Sequence, residues 1–116
     1  IVASQGGYSE IGSALLEAGA DVNLASDTGM TPLIAACQLG HSECLSTLVK
    51  GGADLNMGDN SGFTPVMWAT QGNHQQCLDV LIELGADVNQ AANDGWTALF
   101  DAANSGYVDI AKSLVR

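Results

Sequence analysis

The chain has 116 residues, of which 47% are hydrophobic and 14% are charged, which is the composition of one globular domain and not of a disordered segment. Thirteen acidic residues face three basic ones, and the formal net charge of −10 predicts repulsion from bare nucleic acid and from anionic membrane surfaces. The same charge attracts basic partners at long range, although acidity also serves solubility alone.

Membrane and secretory signals are missing from the sequence as it stands. The apolar runs are too short to span a bilayer, and no basic stretch followed by an apolar one opens the chain. Because the first residue is Ile1, we expect the chain to be a fragment of a longer protein. The cysteines Cys37, Cys44 and Cys77 form no disulfide pattern, so we expect reduced, buried thiols and an intracellular location, cytoplasmic or nuclear.

The predicted elements recur along the chain every 33 residues. The motif Gly-Ala-Asp-Val/Leu-Asn begins at positions 19, 52 and 85, and Gly-x-Thr-Pro/Ala-Leu/Val begins at positions 29, 62 and 95. This register predicts a single domain, 1–116. It comprises a partial first unit (1–23), a second unit (24–56), a third unit (57–89) and a fourth unit (90–116).

Each complete unit contains the start and stop signals of two short helices. Thr31, Thr64 and Thr97 stand where the N-cap of a small-faced first helix belongs. That helix is predicted to end at a residue with left-handed backbone, which is Asn73 in the third unit, where the second unit has Gly40. A second apolar helix follows and ends at the glycine of the Gly-Ala-Asp motif.

These residues resemble the ankyrin repeat, whose pattern reads G-x-T-P-L-H-x-A-A-x-x-G-H, then an apolar helix, then G-A-D-V-N. The resemblance covers essentially the whole chain and implies an all-α repeat solenoid. Each unit would be a β-hairpin loop followed by two antiparallel helices, and the units would stack into a slab with a concave face. The motif histidine is replaced by Ile34, Met67 and Phe100, which predicts loss of the usual polar tie between first helix and hairpin.

The apolar residues and the histidines that recur with the repeat are interpreted as structural residues. Buried positions between units are predicted at one shared phase, namely Leu15, Leu33, Leu48, Val66, Leu81, Leu99 and Leu114. His41 and His74 lie one repeat apart, and stacked helices separated by roughly 8–10 Å hold imidazoles too far apart to share a zinc ion. The resemblance implies that these rings bond to backbone, so no metal site is predicted.

The polar residues offer no catalytic constellation. The sequence contains no phosphate-binding glycine loop and no Gly-x-Ser-x-Gly motif. Asp21, Asp54 and Asp87 recur with the repeat, so we interpret them as loop-bonding residues. We therefore predict no enzyme activity, no catalytic residue and no cofactor.

Variable positions in a repeat protein are where partners are expected, since identical positions hold the stack. The resemblance implies that hairpin tips and the exposed side of each first helix form the variable concave face. The predicted partner-binding residues are Asp27, Met30, Asn60, Phe63, Met67, Trp68, Gln71, Asp94, Trp96, Phe100, Asp101 and Asn104. Both tryptophans and both phenylalanines belong to this set, and we expect aromatic residues to act as apolar anchors.

Three functions follow from these patterns. The first is a protein–protein interaction scaffold that binds a protein or peptide, with a preference for basic partners. The second is a reader of a basic or methylated lysine through an aromatic and acidic pocket, since the stretch 63–70 is similar to the cage-bearing repeat of certain histone lysine methyltransferases. The third is a spacer within a longer array. Direct binding to nucleic acid and membrane insertion are not expected, and the sequence leaves the oligomeric state open.

Overall fold

The computed structural model describes residue 23 and residues 25–115. The helices of this part are α1 (Pro32–Leu39), α2 (Leu45–Lys50), α3 (Pro65–Gln71), α4 (Gln75–Glu83), α5 (Ala98–Ser105) and α6 (Val108–Leu114). A short 3-10 helix, Ser42–Cys44, leads into α2. The second, third and fourth units therefore each contain a first and a second helix, as an all-α repeat solenoid requires. The predictions at Leu15 and Asp21 lie outside the described residues.

The loops before the first helices reverse direction as hydrogen-bonded turns, without strands in the described ranges. In the second unit the N–H of Ser26 donates to the carbonyl of Met30 at 3.0 Å, and the N–H of Gly29 donates to the carbonyl of Ser26 at 2.9 Å. Gly29 has a φ of 85°, a left-handed conformation that suits glycine. The same two bonds recur in the third and fourth units. The implied hairpins are therefore short closed turns.

The helix boundaries follow the capping residues. The hydroxyl oxygens of Thr31, Thr64 and Thr97 accept hydrogen bonds from backbone N–H groups three residues later, at 3.2, 3.4 and 3.2 Å. The predicted N-caps are thus confirmed. Gly40 ends α1 with a φ of 78°, and Asn73 follows α3 with a φ of 55°. Asn73 is the only non-glycine residue with positive φ in the described part, as the register predicts.

The helices stack in two layers. The first helices form one layer, in which α3 packs against both α1 and α5, and the second helices form another, in which α4 packs against α2 and α6. The core between the layers is built mainly from small and medium apolar residues, including the predicted Leu33, Leu48, Val66, Leu81 and Leu114. Cys44, Cys77 and Ile110 are also buried at one shared phase.

The prediction that Leu99 is buried is wrong. Leu33 and Val66, at the same position of the two preceding units, are each 1% exposed, whereas Leu99 is 40% exposed. The physical reason is its place in the stack. A following unit covers the first two positions, and within the described residues no unit follows Leu99.

Hydrogen bonds to asparagine side chains link the loops that follow successive second helices. The side-chain Oδ1 of Asn56 accepts the N–H of Asp87, 31 residues later, at 2.8 Å. Asn23 and Asp54 make the same bond one unit earlier, also at 2.8 Å. Asp87 in turn accepts the N–H of Asn89 at 2.9 Å. This geometry confirms that Asp54 and Asp87 are loop-bonding residues.

Candidate functional site

The candidate site is the surface formed by the hairpin tips and the exposed side of α1, α3 and α5, which we call the tip face. Its members differ in exposure. Six predicted site residues are exposed, namely Asp27, Asn60, Gln71, Asp94, Phe100 and Asn104. Five are half-buried, namely Met30, Phe63, Trp68, Trp96 and Asp101. Eleven of the twelve predicted residues therefore retain surface that a partner can contact.

Met67 is the exception and does not belong to the site. Its side chain is 2% exposed and is part of the hydrophobic core. The equivalent residue of the second unit, Ile34, is also fully buried. At the position of the motif histidine, Ile34 and Met67 therefore face the interior, because burying a long aliphatic side chain is favourable. Phe100, at the same position of the fourth unit, is 55% exposed and packs edge-on against Trp96.

Asp59 holds the tip of the third unit onto α3. Its Oδ1 accepts the N–H groups of Ser61 and Phe63 at 2.9 and 3.0 Å, and its Oδ2 accepts the indole Nε1–H of Trp68 at 3.2 Å. The usual tie through the motif histidine is absent, since Met67 stands there, and the bond from Trp68 to Asp59 replaces it in this unit. Sequence reasoning missed the Asp59–Trp68 pair, and its only signal was an acid nine residues before an indole.

Aromatic rings also join each tip to its own first helix. Phe63 of the third tip lies 5.9 Å from Trp68 of α3, centroid to centroid, with the rings tilted by 57°. Trp96 of the fourth tip lies 4.4 Å from Phe100 of α5 in an edge-on arrangement. Two adjacent units therefore each present an aromatic pair, and edge-on contacts of this kind fix ring orientation.

Asparagine side chains link consecutive tips. The Nδ2 of Asn60 donates to the carbonyl of Asp27 at 2.8 Å, and the Nδ2 of Asn93 donates to the carbonyl of Asn60 at 2.9 Å. The backbone N–H of Asn60 also donates to the carbonyl of Thr28 at 3.0 Å. The amide of Asn60, a predicted partner-binding group, is therefore used within the stack, and the tips form one connected surface.

The histidines serve the scaffold. The Nε2 of His74 lies 3.1 Å from the carbonyl oxygen of Gln38 in the preceding unit, which confirms the predicted bond to backbone. His41 is buried, with its Nδ1 3.8 Å from a carboxylate oxygen of Glu43. Over residue 23 and residues 25–115, no three or more His, Cys, Asp or Glu side chains gather in a way that could hold a metal ion.

Comparison with protein families decides the classification. A family model of ankyrin repeats, in three copies, matches residues 1–92, and a model of the single ankyrin repeat matches residues 94–116. The chain belongs to the ankyrin-repeat family. A comparison with curated proteins gives no significant match. Ankyrin repeats are generally protein–protein interaction modules, and members of the family are typically non-enzymatic.

The tip face of this ankyrin domain is acidic. Asp27 and Asp94 are exposed there, and Asp59 and Asp101 are half-buried. The lysines of the described part, Lys50 and Lys112, lie in the second helices α2 and α6. Within the described part, the first-helix layer and its tips therefore carry carboxylates and no lysine, whereas the second-helix layer carries both lysines together with the carboxylates of Glu43, Asp79, Glu83 and Asp109.

The thiols of this ankyrin stack are chemically protected. Burial raises the pKa of Cys37 well above its ordinary value, with the neighbouring thiols Cys77 and Cys44 adding to the effect. Burial, together with the Glu43 carboxylate, raises the pKa of Cys44 to about 12 and that of Cys77 to about 11. A thiol with so high a pKa is a poor nucleophile at neutral pH, so these cysteines act as small core residues.

None of the helices in the described ranges is long and apolar enough to cross a membrane.

Proposed function

We propose that this chain is a protein–protein interaction scaffold that binds a protein or peptide partner on the tip face and favours basic partners. One observation carries the proposal. The tip face combines partly exposed aromatic rings with acidic side chains, while both lysines of the described part lie in the second helices. The second-helix layer offsets part of its own acidic charge with these lysines, so a basic partner would be attracted more strongly to the tip face.

The anchors of the proposed site are Phe63, Trp68 and Trp96. Each is held by a contact within its own unit and is half-buried, so part of each ring faces solvent in a fixed orientation. Rings that are already ordered lose little conformational entropy when a partner covers them. Tryptophan is among the residues that most often dominate binding energy at protein interfaces.

A row of polar side chains completes the proposed site. Gln38, Gln71 and Asn104 occupy one position of three successive first helices, and all three are exposed. Their position stays at the surface in every described unit, unlike the position of Ile34 and Met67. We expect this row to line the path of an extended peptide or a domain edge, with the aromatic pairs nearer the tips.

The free thiols support an intracellular setting as part of the proposal. Cys37, Cys44 and Cys77 are buried and form no disulfide with one another. Proteins in reducing compartments keep such thiols, whereas oxidising compartments favour disulfides.

The test is a quantitative capture experiment on cell lysate with two matched variants. The tip-face variant, Gln71→Arg with Asn104→Arg, adds two positive charges at exposed positions of α3 and α5. The control variant, Ser46→Arg with Gln76→Arg, adds the same charge at exposed positions of α2 and α4. We expect partners bound by the unmodified chain to be lost with the tip-face variant and kept with the control. Equal retention by both variants would overturn the proposal.

A further inference from the structure

A row of unused side-chain amides runs along the first-helix layer. Gln38, Gln71 and Asn104 hold the same position of α1, α3 and α5, and all three are exposed. Within the described part of the chain, no hydrogen bond engages these side-chain amides. The amides of Asn60 and Asn93, in contrast, are already used to link the tips. The row therefore offers hydrogen-bond donors and an acceptor in every described unit to a ligand.

The spacing of this row follows from the packing of the helices. The helix α3 packs against both α1 and α5, and the axes of packed helices lie roughly 8–10 Å apart. A ligand that crosses the first helices therefore meets one amide about every 8–10 Å. The rings of Phe63 and Trp96 repeat at the same pitch, because they hold one position of consecutive tips.

This pitch discriminates between the backbone conformations of a ligand. Polyproline II has three residues per turn and rises about 3.1 Å per residue, so every third residue returns to the same face after about 9.3 Å. In a β-strand, side chains on one face repeat after about 6.8 Å, which does not fit. An α-helix returns to the same face after seven residues, or about 10.5 Å, but its backbone carbonyls are bonded internally. Polyproline II leaves its carbonyls free to accept hydrogen bonds from the amide row.

The aromatic rings of the tip face suit the same ligand. Trp68 donates its indole N–H to Asp59 at 3.2 Å, so it presents its ring to a partner and not its donor. Phe63 lies 5.9 Å from Trp68. Trp96 and Phe100, 4.4 Å apart, form the aromatic pair of the next unit. Proline-rich segments bind in grooves lined by aromatic rings, and their preformed helix loses little entropy on binding.

We propose that the segment bound on the tip face is a proline-rich polyproline II helix that carries basic residues and advances by three of its own residues per repeat. Its prolines would lie on the aromatic pairs, and its carbonyls would accept hydrogen bonds from Gln71 and Asn104. The carboxylates of Asp94 and Asp101 favour lysine or arginine in this segment. The segment is the partner of the proposed function, on which this inference rests.

The test compares three synthetic peptides of about twelve residues by calorimetric titration into the chain. The probe peptide repeats Pro-Pro-Lys. The register control contains the same residues in an order that breaks the three-residue spacing of the lysines. The conformational control repeats Gly-Ser-Lys, which keeps the charge and its spacing on a flexible backbone.

We expect the probe peptide to bind at least tenfold more tightly than either control, because it alone combines the register with a preformed helix. Equal affinity of either control peptide would overturn the inference. So would a probe peptide that shows no measurable binding.

Two variants test the amide row. Gln71→Met with Asn104→Leu removes two amides and keeps similar volume at exposed positions. We expect it to bind the probe peptide at least fivefold more weakly, as the loss of two hydrogen bonds implies. Gln76→Met, at an exposed position of α4, is the control and should keep the affinity within about twofold. Equal affinity of both variants and the unmodified chain for the probe peptide would contradict the inference.

Competition with a captured partner separates this inference from the proposed function. A partner that is lost with Gln71→Arg and Asn104→Arg, but that the probe peptide does not displace, would leave the tip face as the binding site and reject polyproline II as its ligand. Retention of captured partners by that variant as well as by its control would reject both proposals.

Discussion

The indole Nε1 of Trp68 donates a hydrogen bond of 3.2 Å to Oδ2 of Asp59, so the tip of the third unit is tied to the first helix of the same unit. The ankyrin pattern places a histidine for this purpose at the position of Met67, which here is buried. The tie has therefore moved by one residue along α3. Trp68 consequently serves two purposes, since its N–H orders the tip while part of its ring remains on the tip face.

The Asp59–Trp68 bond should appear as an energetic coupling. Asp59→Asn keeps an oxygen for the backbone N–H groups but presents an amide N–H to the indole donor, and Trp68→Phe removes the donor. We expect each change to lower the free energy of unfolding by about 1 kcal/mol, as is typical for one hydrogen bond, and the double variant to lose much less than the sum. Urea unfolding measures this cycle, and strictly additive losses would show that the bond contributes nothing.

Gly72 is required for a close approach and not for its backbone angle. Its φ is −85°, which alanine also adopts, but a Cβ there would lie 2.4 Å from Nε2 of His74. Gly72→Ala would therefore displace the ring and its bond to the carbonyl of Gln38. We expect a loss of about 1–3 kcal/mol in the free energy of unfolding, the usual range for overpacking.

The matched control for Gly72→Ala removes the His74 ring, which a Cβ at position 72 would meet. In a His74→Ala background, Gly72→Ala should cost nothing further or slightly stabilise the fold, because alanine reduces the entropy of the unfolded chain. An equal loss in both backgrounds, again from urea unfolding, would show that the His74 ring is not the reason for the glycine.

The raised pKa values of the buried thiols predict how the free energy of unfolding depends on pH. Folding raises the pKa of Cys44 to about 12 and that of Cys77 to about 11. An unfolded thiol ionises near pH ~8.5. The folded state therefore retains protons that the unfolded state releases. The associated stability is present in full below about pH 8.5 and is lost as pH rises toward 11 and 12.

Cys44→Ala with Cys77→Ala is the control for that prediction. The double variant should lose less stability between pH 8 and pH 10.5 than the unmodified chain, as measured by thermal or urea unfolding. Parallel losses in the two proteins would mean that other groups cause the alkaline decline. A disulfide-exchange reagent at pH 8 should also label the buried thiols only as fast as the protein unfolds.

Tryptophan emission should report binding directly. The chain has two tryptophans, Trp68 and Trp96, and both lie half-buried on the tip face. Titration with a partner that lacks tryptophan should shift the emission to shorter wavelength as the partner removes water from the indoles. Binding with unchanged emission in the unmodified chain would place the partner elsewhere.

The 33-residue register predicts much of the fold because each unit repeats the same local chemistry. Thr64 caps α3 and Asn73 follows it in a left-handed conformation for reasons that depend only on neighbouring residues. Leu99 shows the limit of this reasoning. Its sequence position equals that of Val66, but burial depends on what stacks above it, and a local pattern carries no information about place in the stack.

The site is less accessible to sequence reasoning than the fold. The resemblance places Met67 on the exposed side of the first helix, but its aliphatic side chain is 2% exposed and turns inward. The Asp59–Trp68 bond joins a loop to a helix and requires the folded geometry of the turn between them. By contrast, the exposed position of Gln71 and Asn104 follows from the helical period alone.

The dissociation constant of a captured partner, compared between the two double-arginine variants by calorimetric titration, tests the central claim most directly. The account predicts at least tenfold weaker binding for Gln71→Arg with Asn104→Arg, and binding within about twofold of the unmodified chain for Ser46→Arg with Gln76→Arg. The contradicting result is weaker binding in the second variant with full binding in the first, which would move the interaction from the tip face to the second helices.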